Sequence, residues 1–494
     1  MRPVPLWLLV TLQGAVSAAS LVVEIVAGRM LAPYVGMSLY TWTSIIAVVL
    51  AGFSAGHWWG GRLAERPLDR ALAATGWALL GAAVTTALAG MALRATAVPV
   101  LSLFPHPVSG ITALTVSAFF LPSLFAGIPA PVLTQVSLSG TDRQGHALGA
   151  MFAAGAVGAI AGTLLAGFVF ISWLGSAWTL ATVTLVYLAG ALLCFLLARR
   201  AIVIPGASAT IIAALALFGA TAPNPCTLES RYFCLRSIDV AADPTKPTRA
   251  LVIDHLVQGI SAEDAPTTMF TDHAAMLDAL ARLRAPQPDF SSFFIGGGNY
   301  ALPRSFATRG LTQITVAEID PAVTALAASD FWFDPATARI LHEDARRALR
   351  NDPTQYDVIV GDAFTDTAVP QHLVTKEFFE LVQTRLTPDG SYLMNVIDYA
   401  DRLAAVGSLI ATLQQVFPQI ELWTEARRPE PGERVVMVIV AGKTPTPTDR
   451  FAVRSPDRTE FAALSQGFVD ELAARSIPLT DDYAPIDRLV GARD

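Results

Sequence analysis

The residues of this chain whose types and spacing could do chemistry gather where short apolar runs end. Phe293-Phe294-Ile295 runs straight into Gly296-Gly297-Gly298, and Ile314-Thr315-Val316-Ala317 delivers Glu318 and Asp320 about twenty residues after that turn. The run at 338–342 is followed by Glu343-Asp344, and that at 356–360 by Gly361-Asp362. Three glycines let a backbone turn tightly and approach a ligand with no Cβ in the way. An acid one strand later stands where a ribose diol is read. One such acid reads equally well as a solvated loop residue. Acids at successive strand ends predict a rim that holds a nucleoside and a second, cationic substrate.

For these residues to share a rim, the stretch must fold as an open parallel sheet. Its strands are expected at 293–295, 314–317, 338–342, 356–360 and 390–396, with later crossover helices at 378–385 and 402–417. A late strand at 434–440 and a helix near 460–474 follow. The tail segment LTDDYAPIDRLV, 479–490, is acidic and aromatic, and reads either as a cap over the site or as a solvated terminus. After Pro223-Asn224-Pro225, strands at 232–240 and 249–255, joined through Pro244 and Pro247, form a small β-lobe, and a helix is expected over 273–284.

Composition divides the chain. Mean hydropathy is +0.48, too apolar for one water-soluble protein. Residues 1–221 carry nine arginines, no lysine and four acids, a net charge of +5, and the remainder is at −12. A membrane part therefore precedes an acidic soluble part. Nucleic acid is excluded as a partner, because the soluble part has no basic stripe and the wrong sign of charge.

Seven apolar stretches, at 5–28, 40–61, 71–94, 108–133, 147–171, 175–197 and 202–221, are near the length a bilayer requires. The first is expected to be a span rather than a cleaved leader. Gly52, Gly56 and Gly60 share one face of the second, as helix packing in lipid favours. Arginines in alternate loops (Arg62, Arg66 and Arg70; Arg143; Arg199 and Arg200) place the N-terminus in the cytoplasm and, after seven spans, the soluble part outside. Cys226 and Cys234, eight apart, could close a disulfide that persists in an oxidising compartment, or stay as two buried thiols; no further ligands for zinc lie nearby. Glu24 and Arg29 in the first span read as an ion pair or as a polar pocket for a solute, which His57 could join.

Taken together, EIVAGRMLAPYVG, ESRYFCLR, LVIDHLVQG, IGGGNYALPR, VAEIDP, HEDAR, YDVIVGDAF and LTDDYAPIDRL resemble the spermidine synthase family of aminopropyltransferases. More closely, they resemble bacterial membrane proteins in which a multi-span domain precedes a spermidine synthase-like domain. The resemblance implies an α-helical transmembrane domain (1–222), a small β-lobe with a linking helix (223–288) and an α/β Rossmann-like domain of the methyltransferase and spermidine synthase type with a C-terminal cap (289–494).

It also implies roles. Gln258, Gly296, Gly297, Gly298 and Asn299 would wrap the donor, Glu318 and Asp320 would meet its ribose, and Asp344 and Ala345 its adenine. Asp362 would orient and deprotonate an amine, with Asp366 adding negative potential, and His273, Asp481, Asp482 and Tyr483 would face the acceptor. Asn299 stands where the family has an aspartate, and Asp362-Ala363-Phe364-Thr365-Asp366 replaces its Asp-Ser-Ser-Asp-Pro, so the acceptor and the choice between decarboxylated and intact S-adenosylmethionine stay open. The implied reaction is aminopropyl transfer to an amine or polyamine, with no tightly bound cofactor and no metal. Its rivals are methyl or other alkyl transfer, and a transporter or sensor without turnover. A multi-pass protein of the bacterial inner membrane, in contact with the bilayer and forming a homodimer, completes the expectation.

Overall fold

The computed structural model describes residues 4–139, 141–200, 203–363 and 370–491. The chain divides into two compact units: Met1–Pro225 with Glu229–Cys234, and Cys226–Leu228 with Leu235–Asp494. The segment ESRYFC, expected in the β-lobe, therefore belongs with the helices.

Among the described residues of the first unit, six helices are long and apolar enough to cross a membrane: Leu6–Val35, Leu39–Ala64, Leu68–Leu103, Pro107–Ser139, Gln144–Leu197 and Val203–Thr221. The fifth has 54 residues, roughly 80 Å at 1.5 Å per residue, far more than the ~30 Å hydrocarbon layer. Gly175, at φ 71° and ψ 175°, breaks it. The expected spans at 147–171 and 175–197 are its two arms, and both pack against Leu6–Val35. Six helices, one of them broken, account for the seven expected spans.

The glycine stripe of Leu39–Ala64 is a packing surface. A Cβ on Gly52 would lie 2.7 Å from that of Ser123 and 2.9 Å from the Phe120 carbonyl oxygen, and one on Gly56 would strike the Leu124 carbonyl. Backbones meet there because lipid supplies no hydrophobic force between helices, leaving close van der Waals contact to hold them.

Arg29 does not pair with Glu24. Its guanidinium donates to the carbonyls of Tyr232 and, at 2.8 Å, of Ser230. Glu229 accepts the backbone N–H of Ser176 at 3.1 Å and also its hydroxyl. That carboxylate caps the helical arm that restarts after Gly175. The same short stretch is closed covalently, since Cys226 and Cys234 are disulfide-bonded.

Apart from Glu229 and Cys234, which count with the first unit, a four-stranded sheet of the second unit forms the lobe, in the order β1 (Leu228–Glu229), β2 (Cys234–Asp239), β3 (Thr248–Ile253) and β4 (Leu256–Ala262). The main sheet contains β5 (Ser292–Ile295), β6 (Ile314–Ala317), β7 (Arg339–Leu341), β8 (Tyr356–Gly361), β9 (Leu386–Tyr399), β10 (Gln419–Glu425), β11 (Arg434–Gly442), β12 (Arg450–Ser455) and β13 (Asp457–Ala463). Its order is β12-β13-β10-β11-β9-β8-β5-β6-β7. β7, β6, β5, β8 and β9 are parallel, and β11, β10, β13 and β12 continue antiparallel.

Phe293 and Ile295 pack into the layer of Phe378, Phe379 and Leu409, while Phe294 meets Phe306 on the opposite face with ring centroids 5.5 Å apart. Burial on both faces explains why β5 reads as an unbroken apolar run. β10 had no counterpart in the sequence reading. The helix expected near 460–474 is the strand β13 followed by the helix Gln466–Ala474.

Candidate active site

The chain leaves β5 for β6 and β7 on one side, then crosses back to β8 and β9 on the other. The carboxyl ends of β5 and β8 therefore flank the point where strand order reverses, the usual ligand crevice of open α/β sheets. There the N–H of Asp362 donates to the Ile295 carbonyl at 3.1 Å. Gly296 follows at φ 89°, and a Cβ on it would stand 2.8 Å from the Asp362 carbonyl oxygen. Both the dihedral and the close approach require glycine.

Gly297 is restricted from below. Its missing Cβ would fall 2.5 Å from Tyr300 Cζ. Tyr300 is fully buried at φ 57°, stacked on Phe333 at 4.3 Å, with its hydroxyl 2.6 Å from that of Thr324. From above, the Gly297 N–H donates to Glu318 at 2.8 Å, and Glu318 also accepts the Asp320 N–H at 2.9 Å. Glu318 is buried, and that burial pushes its carboxyl above the ordinary range, against backbone amides of Asp320, Gly297 and Gly298 that favour the charge.

Gln258, His273, Gly296, Gly297, Gly298 and Asp362 line one cleft. Its free volume of about 20 Å³ is close to that of one water, so a nucleoside must widen it. Asp362 accepts from the Asn395 amide at 2.9 Å. Asn395, buried in β9, was missed in the sequence, although a lone amide inside the apolar run SYLMNVI was a signal for it.

Several expected contacts are made elsewhere. Asn299 borders the cleft, but its buried amide donates to Ser261 at 3.0 Å and accepts the Ala301 N–H at 3.2 Å, tying the glycine turn to the lobe. Asp320 caps the helix Pro321–Asp330 through the Ala322 N–H at 3.0 Å. Asp344 caps Ala345–Asn351 through the Arg347 N–H at 2.9 Å and meets His372 at 2.6 Å, and Ala345 is buried behind it. Asp481 is held by a two-pronged contact with Arg346, each arm 2.7 Å, and by the Thr375 hydroxyl. It fastens the tail and does not line the cleft. Asp482 and Tyr483 are exposed beside it. Asp366 lies outside the described residues.

No protein-family model matches the chain. It is 26% identical over 191 residues to polyamine aminopropyltransferase 2 of Pseudomonas aeruginosa, covering 36% of this chain and 52% of that protein. Over 377 residues it is 26% identical to polyamine aminopropyltransferase 2 of Streptomyces coelicolor, covering 71% of this chain and 65% of that one. The chain is thus similar to polyamine aminopropyltransferases. The second of these matches is longer than the C-terminal unit and so extends into the apolar helices. A different kind of relative matches as well: over 165 residues the chain is 32% identical to an N-terminal histidine N-methyltransferase of Emericella nidulans, covering 31% of this chain and 28% of that protein. The chain thus spans between about a quarter and about half the length of the curated relatives it first matches.

Proposed function

We propose that the spermidine synthase-like unit transfers an aminopropyl group from decarboxylated S-adenosylmethionine to an amine or polyamine. The observation that carries this is the meeting of the glycine turn, Gln258, His273 and Asp362 in one cleft at the switch point of the sheet. The glycine turn and Gln258 hold the nucleoside, and Glu318 accepts its ribose hydroxyls. The amine lone pair attacks the methylene beside the sulfonium. The C–N bond forms as the C–S bond breaks, its electron pair returns to sulfur, and methylthioadenosine leaves as a neutral thioether. Asp362, steadied by Asn395, takes the proton from the new ammonium. The residues contribute alignment and charge placement.

A second reading is methyl transfer from intact S-adenosylmethionine. It is favoured by Asn299, which leaves the turn without the acid that would hold the donor's amine. Mass analysis of products from each donor with putrescine separates the two. Methylthioadenosine supports aminopropyl transfer, adenosylhomocysteine supports methyl transfer, and binding with neither product points to a sensor or transporter.

The first unit is read as a multi-pass anchor in a bacterial inner membrane, with a cytoplasmic N-terminus and the second unit on the external side. The bonded pair Cys226–Cys234 supports this side, since such bonds last in oxidising compartments. Protease added to spheroplasts, with the outer membrane opened and the inner one sealed, should remove the second unit only if it is external.

A further inference from the structure

A larger cavity, about 660 Å³, lies over the antiparallel half of the main sheet. Its walls are largely apolar, formed by Leu403, Val435, Met437, Leu464 and Phe468. Its polar lining is mainly basic: Arg427, Arg428, Arg434 and Arg450 face two acids, Asp272 and Glu425.

One of the two acids is already compensated. Arg427 bridges Glu425 at 2.5 Å and Glu433 at 2.9 Å. Asp272 makes no ion pair among the described residues, and burial, with Glu425 nearby, holds its carboxyl above the ordinary range, toward the neutral form. Arg434 lies over the Tyr399 ring. Arg428 and Arg450 are exposed and have no acidic partner among the described residues. A site built for a polyamine would present an excess of unpaired carboxylates, and this one presents two unpaired guanidinium groups, Arg428 and Arg450, against one carboxylate, Asp272.

We infer that this cavity binds an apolar molecule bearing a carboxylate, its body against Leu403, Met437 and Phe468 and its charge between Arg428 and Arg450. The volume suits a small organic ligand, and a planar guanidinium matches a carboxylate in two-pronged geometry. This goes beyond the transferase reading, because the cavity shares none of the cleft's lining residues. The two meet at the start of one helix, where Asp272 of the cavity lies between Thr271 and His273 of the cleft.

Equilibrium dialysis of the full chain in lipid nanodiscs tests it, with labelled 1-naphthoate and its cationic counterpart 1-naphthylmethylamine as probes and empty nanodiscs as the blank. No donor is added, so the result is independent of the catalytic reading. The expected result is saturable binding of one naphthoate per chain, weakened at least tenfold in the double variant R428E/R450E. Both side chains are exposed, and an unchanged circular dichroism spectrum checks that the double variant folds. A second variant, V435W, fills the apolar wall and should also block naphthoate. Saturable binding of the amine at equal or greater affinity, no saturable binding of naphthoate, or undiminished binding in R428E/R450E would each overturn the inference.

Discussion

The side-chain amide of Asn395 donates to the carboxylate of Asp362 across 2.9 Å, joining the middle of β9 to the end of β8. The bond fixes which Asp362 oxygen faces the cleft. Asp362→Asn should cut turnover by about 100- to 10,000-fold, the range of a lost general base, and leave methylthioadenosine binding within about threefold by calorimetry, since the ring and ribose contacts remain. Asn395→Ala acts through Asp362, so it should lower kcat with little change in the KM for the donor. An unchanged kcat would make Asn395 merely structural.

Gly297→Ala drives a methyl into the buried ring of Tyr300, 2.5 Å from Cζ and 2.9 Å from the hydroxyl oxygen. Stacking on Phe333 leaves that ring nowhere to go. The expected loss is about 1–3 kcal/mol in denaturant unfolding of the second unit, together with donor binding. Gly467→Ala, with nothing within 4 Å, should change stability by less than about 0.5 kcal/mol.

Donor affinity should depend on pH through Glu318. Its carboxyl lies above the usual 4.5 because of burial, and only the anion offers every lone pair to the ribose hydroxyls. Methylthioadenosine binding should therefore weaken as pH falls through a midpoint above 4.5. The stability term runs the other way. A raised acid favours the protonated folded state, so its contribution to stability declines as pH rises from the unfolded value through the folded one. Affinity that stays flat until below 4.5 would remove Glu318 from the ribose site.

In the first unit, Gly56→Ala places a Cβ on the Leu124 carbonyl and 3.0 Å from Gly127 Cα, whereas Gly61→Ala meets nothing within 4 Å. The first should lower the unfolding temperature of the protein in detergent, at a cost of about 1–3 kcal/mol. Gly61→Ala, five residues on and off the stripe, should not.

The glycine turn and the acid that meets it were legible because their signals are local. A glycine turn after an apolar run and an acid about twenty residues later can be seen in one stretch of chain. Residue type at a strand end does not say which way a side chain turns. Asp320 and Asp344 turn to helix N-termini, which leave backbone N–H groups without partners, and Asn299 turns to Ser261. Asp481 was assigned to the acceptor from its place in the tail, yet it answers Arg346, 135 residues away. Only the fold brings that partner near. The strand β13, DRTEFAA, was absorbed into the following helix because a seven-residue polar segment has no decisive period of its own; its pairing with β12 and β10 decides it. At Gly175 the span pattern was right, but it did not show that the helix runs to the break and restarts under Glu229.

The grip of Arg29 on residues near position 230 sets a timetable for synthesis. The partners of its guanidinium, Tyr232 and Ser230, stand 203 and 201 residues downstream. At about 5–20 residues per second, the ribosome needs roughly 10–40 s to deliver them after the first helix has emerged. Throughout that interval the nascent first helix carries a guanidinium still waiting for its acceptors. The stretch of the first helix around Arg29 is thus among the latest parts of the unit to reach its final state, and whatever shelters that charge in the meantime is part of how this protein is made.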